Sequence, residues 1–292
     1  MQRSSRSQIL VHWTGKDIDA LLRNGTMNTS DCRQAYVERL VKTLRTGLWL
    51  TRGEEILGDG VNESEFRYYD SRLCFSEILL SRSDDHSARY GRLGFGFNRL
   101  FVLDSGGSPV IYARHSSSGI LKIFGALDRR MSNVSQEILN GPAGRAIPEG
   151  DTKNAIIYDL VSASSLLMRL LPFFKRMSND NTDDFAFFEE AEWRIVAFAD
   201  HKYPVMPATV VSPKRGRLPI LESSWDRSPR ILANSSPPPD FYLSFNADDV
   251  DLLVFPDDAT RTEAWNDPSF KEWHGSRKRP LQILTIDECL RF

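Results

Sequence analysis

Glu189-Glu190-Ala191-Glu192-Trp193-Arg194-Ile195-Val196-Ala197-Phe198 is the stretch on which the reading of this chain turns. Its aromatic and β-branched residues predict a strand over 191–198. Side chains alternate across a strand, so Ala191, Trp193, Ile195 and Ala197 share one face. Glu190, Glu192, Arg194, Val196 and Phe198 share the other, which is polar in one half and apolar in the other. A strand that lines the end of a cleft needs such a divided face.

The first strand repeats the pattern. Ile9, Val11 and Trp13 fall on one face of Ile9–Thr14, and Leu10, His12 and Thr14 on the other. Spacing alone leaves two readings of these polar residues open. Glu190, Glu192 and Arg194 form either a local ion-pair set or a functional group, and His12 is either a hydrogen-bonded strand histidine or a site residue.

Between these strands the pattern is mixed. A short helix is expected from Asp17 to Arg23, stopped by Asn24-Gly25, and a longer one from a Ser30 cap to about Leu44. Gly47 ends it, and strands follow at Leu48–Thr51, Leu73–Leu80, Leu93–Phe97 and Val110–Ala113. His86 and Tyr90, four apart, share a helical face. A helix is read over Ser116–Leu139. A second is read over Asp151–Met177, where Ile156, Leu160, Leu167, Leu171 and Phe174 form one apolar stripe. Ser178–Asp184 is a loop. After the 191–198 strand, residues 200–240 hold eight of the fifteen prolines and read as an insertion. The tail resumes with a strand at Val250–Phe255, a helix at Ala259–Trp273 and a strand at Leu281–Leu284. The fold class expected is α+β, a single domain over 8–292 with a mixed, split antiparallel sheet flanked by helices.

Length and composition set the outer limits. The chain has 292 residues, 41% hydrophobic and 26% charged, enough to bury a large core. Its 37 basic and 39 acidic side chains leave a formal net charge of −2, so no overall basic field advertises nucleic acid or membrane. Three scattered cysteines without a CxxC pair argue against a disulfide framework or a cysteine zinc site. The apolar run near Leu166 is broken by Arg169 and Pro172, so no membrane span and a cytoplasmic location are expected.

Familiar catalytic motifs are missing. Tyr90-Gly91-Arg92-Leu93-Gly94-Phe95-Gly96-Phe97 is neither a Rossmann nor a P-loop pattern, and its glycines are read as allowing close approach within a sheet. No HExxH, calcium loop or GxSxG occurs, and no metal is expected. The basic clusters at Lys214–Arg217 and Arg277–Arg279 read as solvated loops.

Six short motifs stand in one order: His12-Trp13-Thr14, Cys74 to Ser81 (CFSEILLS), His86-x-x-x-Tyr90-Gly91, Gly94 to Phe97 (GFGF), Pro109 to Ala113 (PVIYA) and Glu189 to Arg194 (EEAEWR). The set resembles the AbiGi-type abortive phage infection family of bacteria, and a related bacterial family with an E-x-E-W-R signature. The likeness spans about residues 8–200, with an echo in Asp248–Phe255. It departs from the family pattern at Leu79, where proline is usual, and at Arg99, where lysine is frequent. The resemblance implies a role in phage defence, and for some members the antitoxin half of a two-gene system.

A slighter resemblance is to ADP-ribosyltransferase folds, which open on a strand carrying His-x-Thr and place a catalytic glutamate on a late strand. It implies NAD as substrate, Glu192 or Glu190 as the catalytic carboxylate, and His12 and Thr14 as NAD-orienting groups. Tyr90 (or Tyr68 or Tyr69) would be the stacking ring and Arg194 the holder of the glutamate or pyrophosphate, with His86 and Ser76 as further cofactor-binding candidates. Nucleic acid then enters only as a possible modification acceptor. The rival expectations are a non-enzymatic antitoxin or sensor that binds a toxin or other defence partner, and a nuclease-like effector, for which no PD-(D/E)xK-like pairing stands out. An enzyme needs His12, Thr14 and Glu192 to meet in one concavity although 180 positions separate the first from the last.

Overall fold

The computed structural model describes residues 8–57, 66–77, 80–113, 170–176, 191–197, 231–233 and 241–291, with scattered positions between 123 and 163. In chain order its elements begin with β1 (Ile9–Thr14), α1 (Lys16–Arg23), α2 (Thr29–Thr46), β2 (Leu48–Leu57) and β3 (Phe66–Ser76). Next come α3 (Ser83–Tyr90), β4 (Leu93–Asn98), α4 (Arg99–Asp104), β5 (Ser108–Pro109) and β6 (Ile111–Ala113). The strands β7 (Phe174–Arg176), β8 (Glu192–Ala197), β9 (Ile231–Ala233), β10 (Phe241–Leu243) and β11 (Val250–Phe255) follow. Helices α5 (Asp258–Asn266) and α6 (Pro268–Gly275), strand β12 (Gln282–Thr285) and helix α7 (Ile286–Cys289) complete the described chain.

Ten of these strands form one sheet in the order β12-β11-β4-β1-β3-β2-β10-β9, with β8 on β3 and β5 on β8. Every pairing in it is antiparallel except β11 with β12. The small parallel pair β6–β7 stands apart. The sheet is therefore mixed, as the sequence suggests. Residues 241–285 supply strands to both of its flanks.

The register shows where the sheet splits. Ser71 and Arg72 of β3 pair with β2 and with β8 at once, so β2 and β8 occupy opposite edges of β3. Ser76 pairs with both Val11 and Glu192, so β1 lies on the same edge as β2. On that edge β3 has β2 as partner up to Arg72 and β1 only at Ser76. Strands β1 and β2 thus diverge around Leu73, Cys74 and Phe75, and a cleft opens between them.

Below the sheet lies one large core. Leu48, Leu50, Leu73, Phe75, Phe95, Phe97, Ile195, Phe241 and Phe255 pack there with Tyr36 and Leu40 of α2 and Phe270 of α6. A second cluster joins Val11 and Trp13 to Leu252, Val254, Ile286 and Cys289 on the other face of β1. Apolar area removed from water is the main stabiliser of both. Gly96 lets β4 take its place between β1 and β11. A Cβ there would stand 2.6 Å from Leu252 Cβ and 2.8 Å from Ile9 Cγ2, so close approach is the reason for glycine.

Several boundaries differ from expectation for identifiable reasons. Helix α2 is capped by Asn28, whose side chain accepts from Asp31 N–H, and not by Ser30, which lies inside the first turn. Strand β3 begins at Phe66 and ends at Ser76, the last of its residues with ladder partners, while Leu80 opens a 3-10 turn. The stripe read as a helix to Met177 gives way before that. Described positions from 155 to 163 are helical, but Leu171–Phe173 is a 3-10 turn and Phe174–Arg176 is β7. Pro172 removes an N–H and biases its predecessor away from the helix. The helix read over Ala259–Trp273 is two helices, since Pro268 opens a new one capped by Asp267. The loop read at Ser178–Asp184 and all of the 200–240 insertion but β9 lie outside the described residues.

Candidate functional site

The cleft at the split has a volume of about 1050 Å³. Its lining includes His12 and Thr14 from β1, Trp49 and Thr51 from β2, and Arg72, Cys74 and Ser76 from β3. Tyr90 from α3, Lys175 from β7, Glu192 and Arg194 from β8, and Tyr242 from β10 complete the sheet-side wall. Lys16 and Asp17 of α1 and Arg39 and Lys42 of α2 line it as well. Residues on four strands share one face because their registers match: Tyr242 opposite Trp49, Thr51 opposite Arg72, Cys74 opposite Arg194, Ser76 opposite Glu192.

Glu192 is held from both carboxylate oxygens. Arg194 Nε donates to Oε1 at 2.7 Å, and Lys175 Nζ to Oε2 at 2.7 Å. Burial opposes its charge, but the cations of Arg194 and Lys175 outweigh that and hold its pKa down to about 2. The backbone N–H of Glu192 donates to the Tyr112 hydroxyl at 3.0 Å. Arg194, only 2% exposed, also donates from Nη1 to the Pro172 carbonyl at 2.5 Å. Both strands of the small β6–β7 pair thus reach Glu192, and the 3-10 turn before β7 reaches Arg194.

Ala191 adds backbone strain at the entry to this strand. Its φ of 41° lies in the left-handed region that side chains disfavour. The Ala191 carbonyl accepts from Glu77 N–H at 3.1 Å, which fixes the peptide that leads into Glu192. Such strain persists only where the surroundings determine it, and it recurs at functional sites.

His12 reaches across the split. Its Nδ1–H donates to the Cys74 carbonyl at 2.8 Å, within the stretch of β3 that lacks a strand partner on that edge. Burial pushes the ring pKa down to about 4, and the Cys74 hydrogen bond offsets only part of that. The neutral ring with its proton on Nδ1 presents Nε2 as an acceptor. Thr14 Oγ1 accepts from Arg39 Nη1 at 3.3 Å, and Arg39 forms a two-pronged pair with Asp17 at 3.2 and 2.6 Å. Beside them Cys74 has its thiol pKa raised by burial and by the charge of Glu192, so it stays protonated.

Of the residues singled out in the sequence, His12, Thr14, Ser76, Tyr90, Glu192 and Arg194 line this one cleft. His86 does not. It is buried in α3, its ring centroid 6.2 Å from that of Tyr90, outside the cleft lining. Glu190 lies outside the described residues. Tyr68 and Tyr69 belong to β3 opposite Glu55 and Glu54, and Tyr90 borders the cleft. No group of three metal-ligating side chains occurs among the described residues.

Sequence reading missed the cationic wall. Lys16, Arg39, Lys42, Arg72, Lys175 and Arg194 face the cleft against two acids, Asp17 and Glu192. Lys175 escaped notice because its segment reads as helix. Trp49 was legible: it alternates with buried Leu48 and Leu50, yet is itself 52% exposed.

The carboxylate half of the cleft, from Arg72 through Arg194, falls inside a recognisable family segment. The family model described as abortive phage resistance protein AbiGi, antitoxin, matches residues 68–215, half of the chain. The chain belongs to the AbiGi family. That membership gives it a role in bacterial resistance to phage by abortive infection. Within the AbiGi segment lie α3, β4, β8 and all but the first two residues of β3, while β1 and α2, which carry His12, Thr14, Arg39 and Lys42, precede it. No curated protein and no solved structure matches the chain. No described helix is long and apolar enough to cross a membrane.

Proposed function

We propose that this AbiGi-family protein carries an NAD-binding cleft with an ADP-ribosyltransferase-like layout, acting in phage defence. One observation carries the reading: His12, Thr14, Tyr90 and Glu192, scattered over 180 positions, border one cleft whose charged lining is mostly cationic. A dinucleotide offers the matching chemistry, with two ring systems and a doubly charged pyrophosphate. Arg39, Lys42 and Lys16 attract the phosphates. His12 Nε2 and Thr14 Oγ1 orient a ribose hydroxyl, and the Tyr90 ring lies against the nicotinamide.

Cleavage of the nicotinamide–ribose bond sends the bonding electrons to the leaving nicotinamide and develops positive charge on the ribose. Glu192 is ionised at neutral pH and stabilises that charge. Its two cationic partners weaken the effect while both are in place. Lys175, the more exposed of the two at 14%, is the one a ligand phosphate can draw away. The ADP-ribosyl group then forms its new bond to the oxygen of water or to a nucleophile on protein or nucleic acid, whose proton is released to solvent. Ligand entry therefore precedes activation of the carboxylate.

The test is nicotinamide release from NAD by the purified protein, alone and with cell extract, against Glu192→Gln and Lys175→Met with folding checked by circular dichroism. Release that disappears in folded Glu192→Gln supports the reading. Neither binding nor turnover of NAD under any condition ends it.

A second reading rests on the family description, antitoxin. The partner is then a cognate toxin bound by this chain without chemistry at Glu192. Neutralisation of that toxin by Glu192→Gln as fully as by the native chain favours it.

A further inference from the structure

Tyr90 accounts for one aromatic ring of the cleft, and strands β2 and β10 carry a second aromatic site. Trp49 and Tyr242 are register partners on adjacent strands β2 and β10, and both line the cleft. Trp49 is 52% exposed, although its chain neighbours Leu48 and Leu50 are 2% and 1% exposed. Its face of β2 carries Thr51 and is continuous by register with Arg72 on β3.

A glycine sets this ring in place. Helix α2 ends at Gly47, with φ of 95°, and a Cβ there would meet the Leu243 carbonyl oxygen at 2.4 Å. The chain therefore turns from α2 into β2 tightly against β10. Trp49 follows two residues after the turn, while Arg39, Lys42 and Thr46 occupy the preceding helix and line the same cleft. Along the chain the order of these lining residues is cation, hydroxyl, indole.

We propose that Trp49, backed by Tyr242, is a stacking subsite for a purine base whose phosphates are held by Arg39 and Lys42. This deepens the NAD reading by assigning the adenine half of the dinucleotide, and it also stands without NAD, since any adenine nucleotide has the same base and phosphate. An exposed indole beside cations offers a π-face to a base and positive charge to its phosphate at once. A protein partner needs no such alignment of ring and cation in a concavity.

The experiment titrates the purified full chain with NAD, AMP, nicotinamide mononucleotide and ribose 5-phosphate. Binding is followed by tryptophan fluorescence quenching and calorimetry, in the native chain, Trp49→Phe and Trp49→Ala. Expected are tighter binding of AMP than of ribose 5-phosphate, and a loss in Trp49→Ala of about tenfold or more for AMP and NAD. Nicotinamide mononucleotide should bind Trp49→Ala unchanged, and Trp49→Phe should retain most of the affinity, which excludes collapse of the fold. NAD and AMP binding Trp49→Ala as tightly as the native chain overturns the subsite and leaves the NAD reading standing. Trp49-dependent binding of AMP without binding of NAD supports the subsite and ends the NAD reading. Binding of none of the four overturns both.

Discussion

The imidazole of His12 and the carbonyl of Cys74 meet at 2.8 Å across the point where β1 and β2 part. A carbonyl that has lost its ladder partner must find another donor, and His12 supplies it. The ring is kept neutral by burial, so the contact is sensitive to acid.

The folded pKa of about 4 lies below the ordinary 6.5 of histidine. Between these values the unfolded chain binds the extra proton, so stability is complete above pH 6.5 and falls as pH drops towards 4. The loss approaches roughly 1.4 kcal/mol per pH unit, or about 3 kcal/mol over the window. Urea unfolding at pH 7.5, 6 and 5 should show this slope, and His12→Gln should flatten it. An equal slope in both proteins would contradict a buried neutral His12.

Glu192 titrates in a different window. Its pKa is depressed from 4.5 to about 2, so its contribution is present above pH 4.5 and is lost as pH falls through 2. Glu192→Gln leaves the buried Arg194 without its anion and should destabilise the fold by about 3–5 kcal/mol. Adding Arg194→Met should recover part of that loss, because an apolar chain then fills the site. The double-mutant cycle in urea checks it, and additive effects would mean the two side chains do not interact.

Ala191→Gly should raise stability by up to about 1 kcal/mol, since glycine accepts a positive φ without the Cβ clash. The gain is the relieved strain less the added entropy of the unfolded chain. Thermal unfolding measures it, and a lower Tm would show that the backbone at 191 is not strained.

Gly47→Ala should have the opposite effect, costing about 2–4 kcal/mol, because its Cβ collides with backbone and not with a flexible side chain. The same substitution should alter the exposure of Trp49, read by iodide quenching. Unchanged stability and quenching would remove Gly47 as the determinant of that wall.

How much of this was legible in the sequence differs from residue to residue. Period-two alternation placed Ile9–Thr14 as β1 and came within a residue of β8, because both strands are long enough for polar and apolar side chains to separate onto different faces. It also put Glu192 and Arg194 on the same face as each other, opposite Trp193 and Ile195, as the register has them. The apolar stripe ending at Phe174 misled, since a helix and a strand buried on one side both space their apolar residues, and Pro172 was the overlooked stop. Convergence of β1 with β8 was expected only through the resemblance. The pairing of Arg194 with Glu192 was legible from their shared face, but the second clamp was beyond reach, since Lys175 belongs to a separate pair of strands and nothing local marks it as a neighbour of β8.

The placement of the last strands bears on how the protein is made. Residues 241–285 complete the sheet at both flanks, β10 against β2 on one side and β11 with β12 against β4 on the other. While a ribosome is still short of that region, the nascent chain has two open hydrogen-bonding borders and lacks Phe241, Leu253, Phe255 and Phe270 from its core. Pairings between such distant segments form slowly and expose sticky edges in the meantime. Chains cut short near residue 240 should therefore aggregate and not linger as soluble fragments, so supply of the working protein depends on translation running nearly to the end of the described chain.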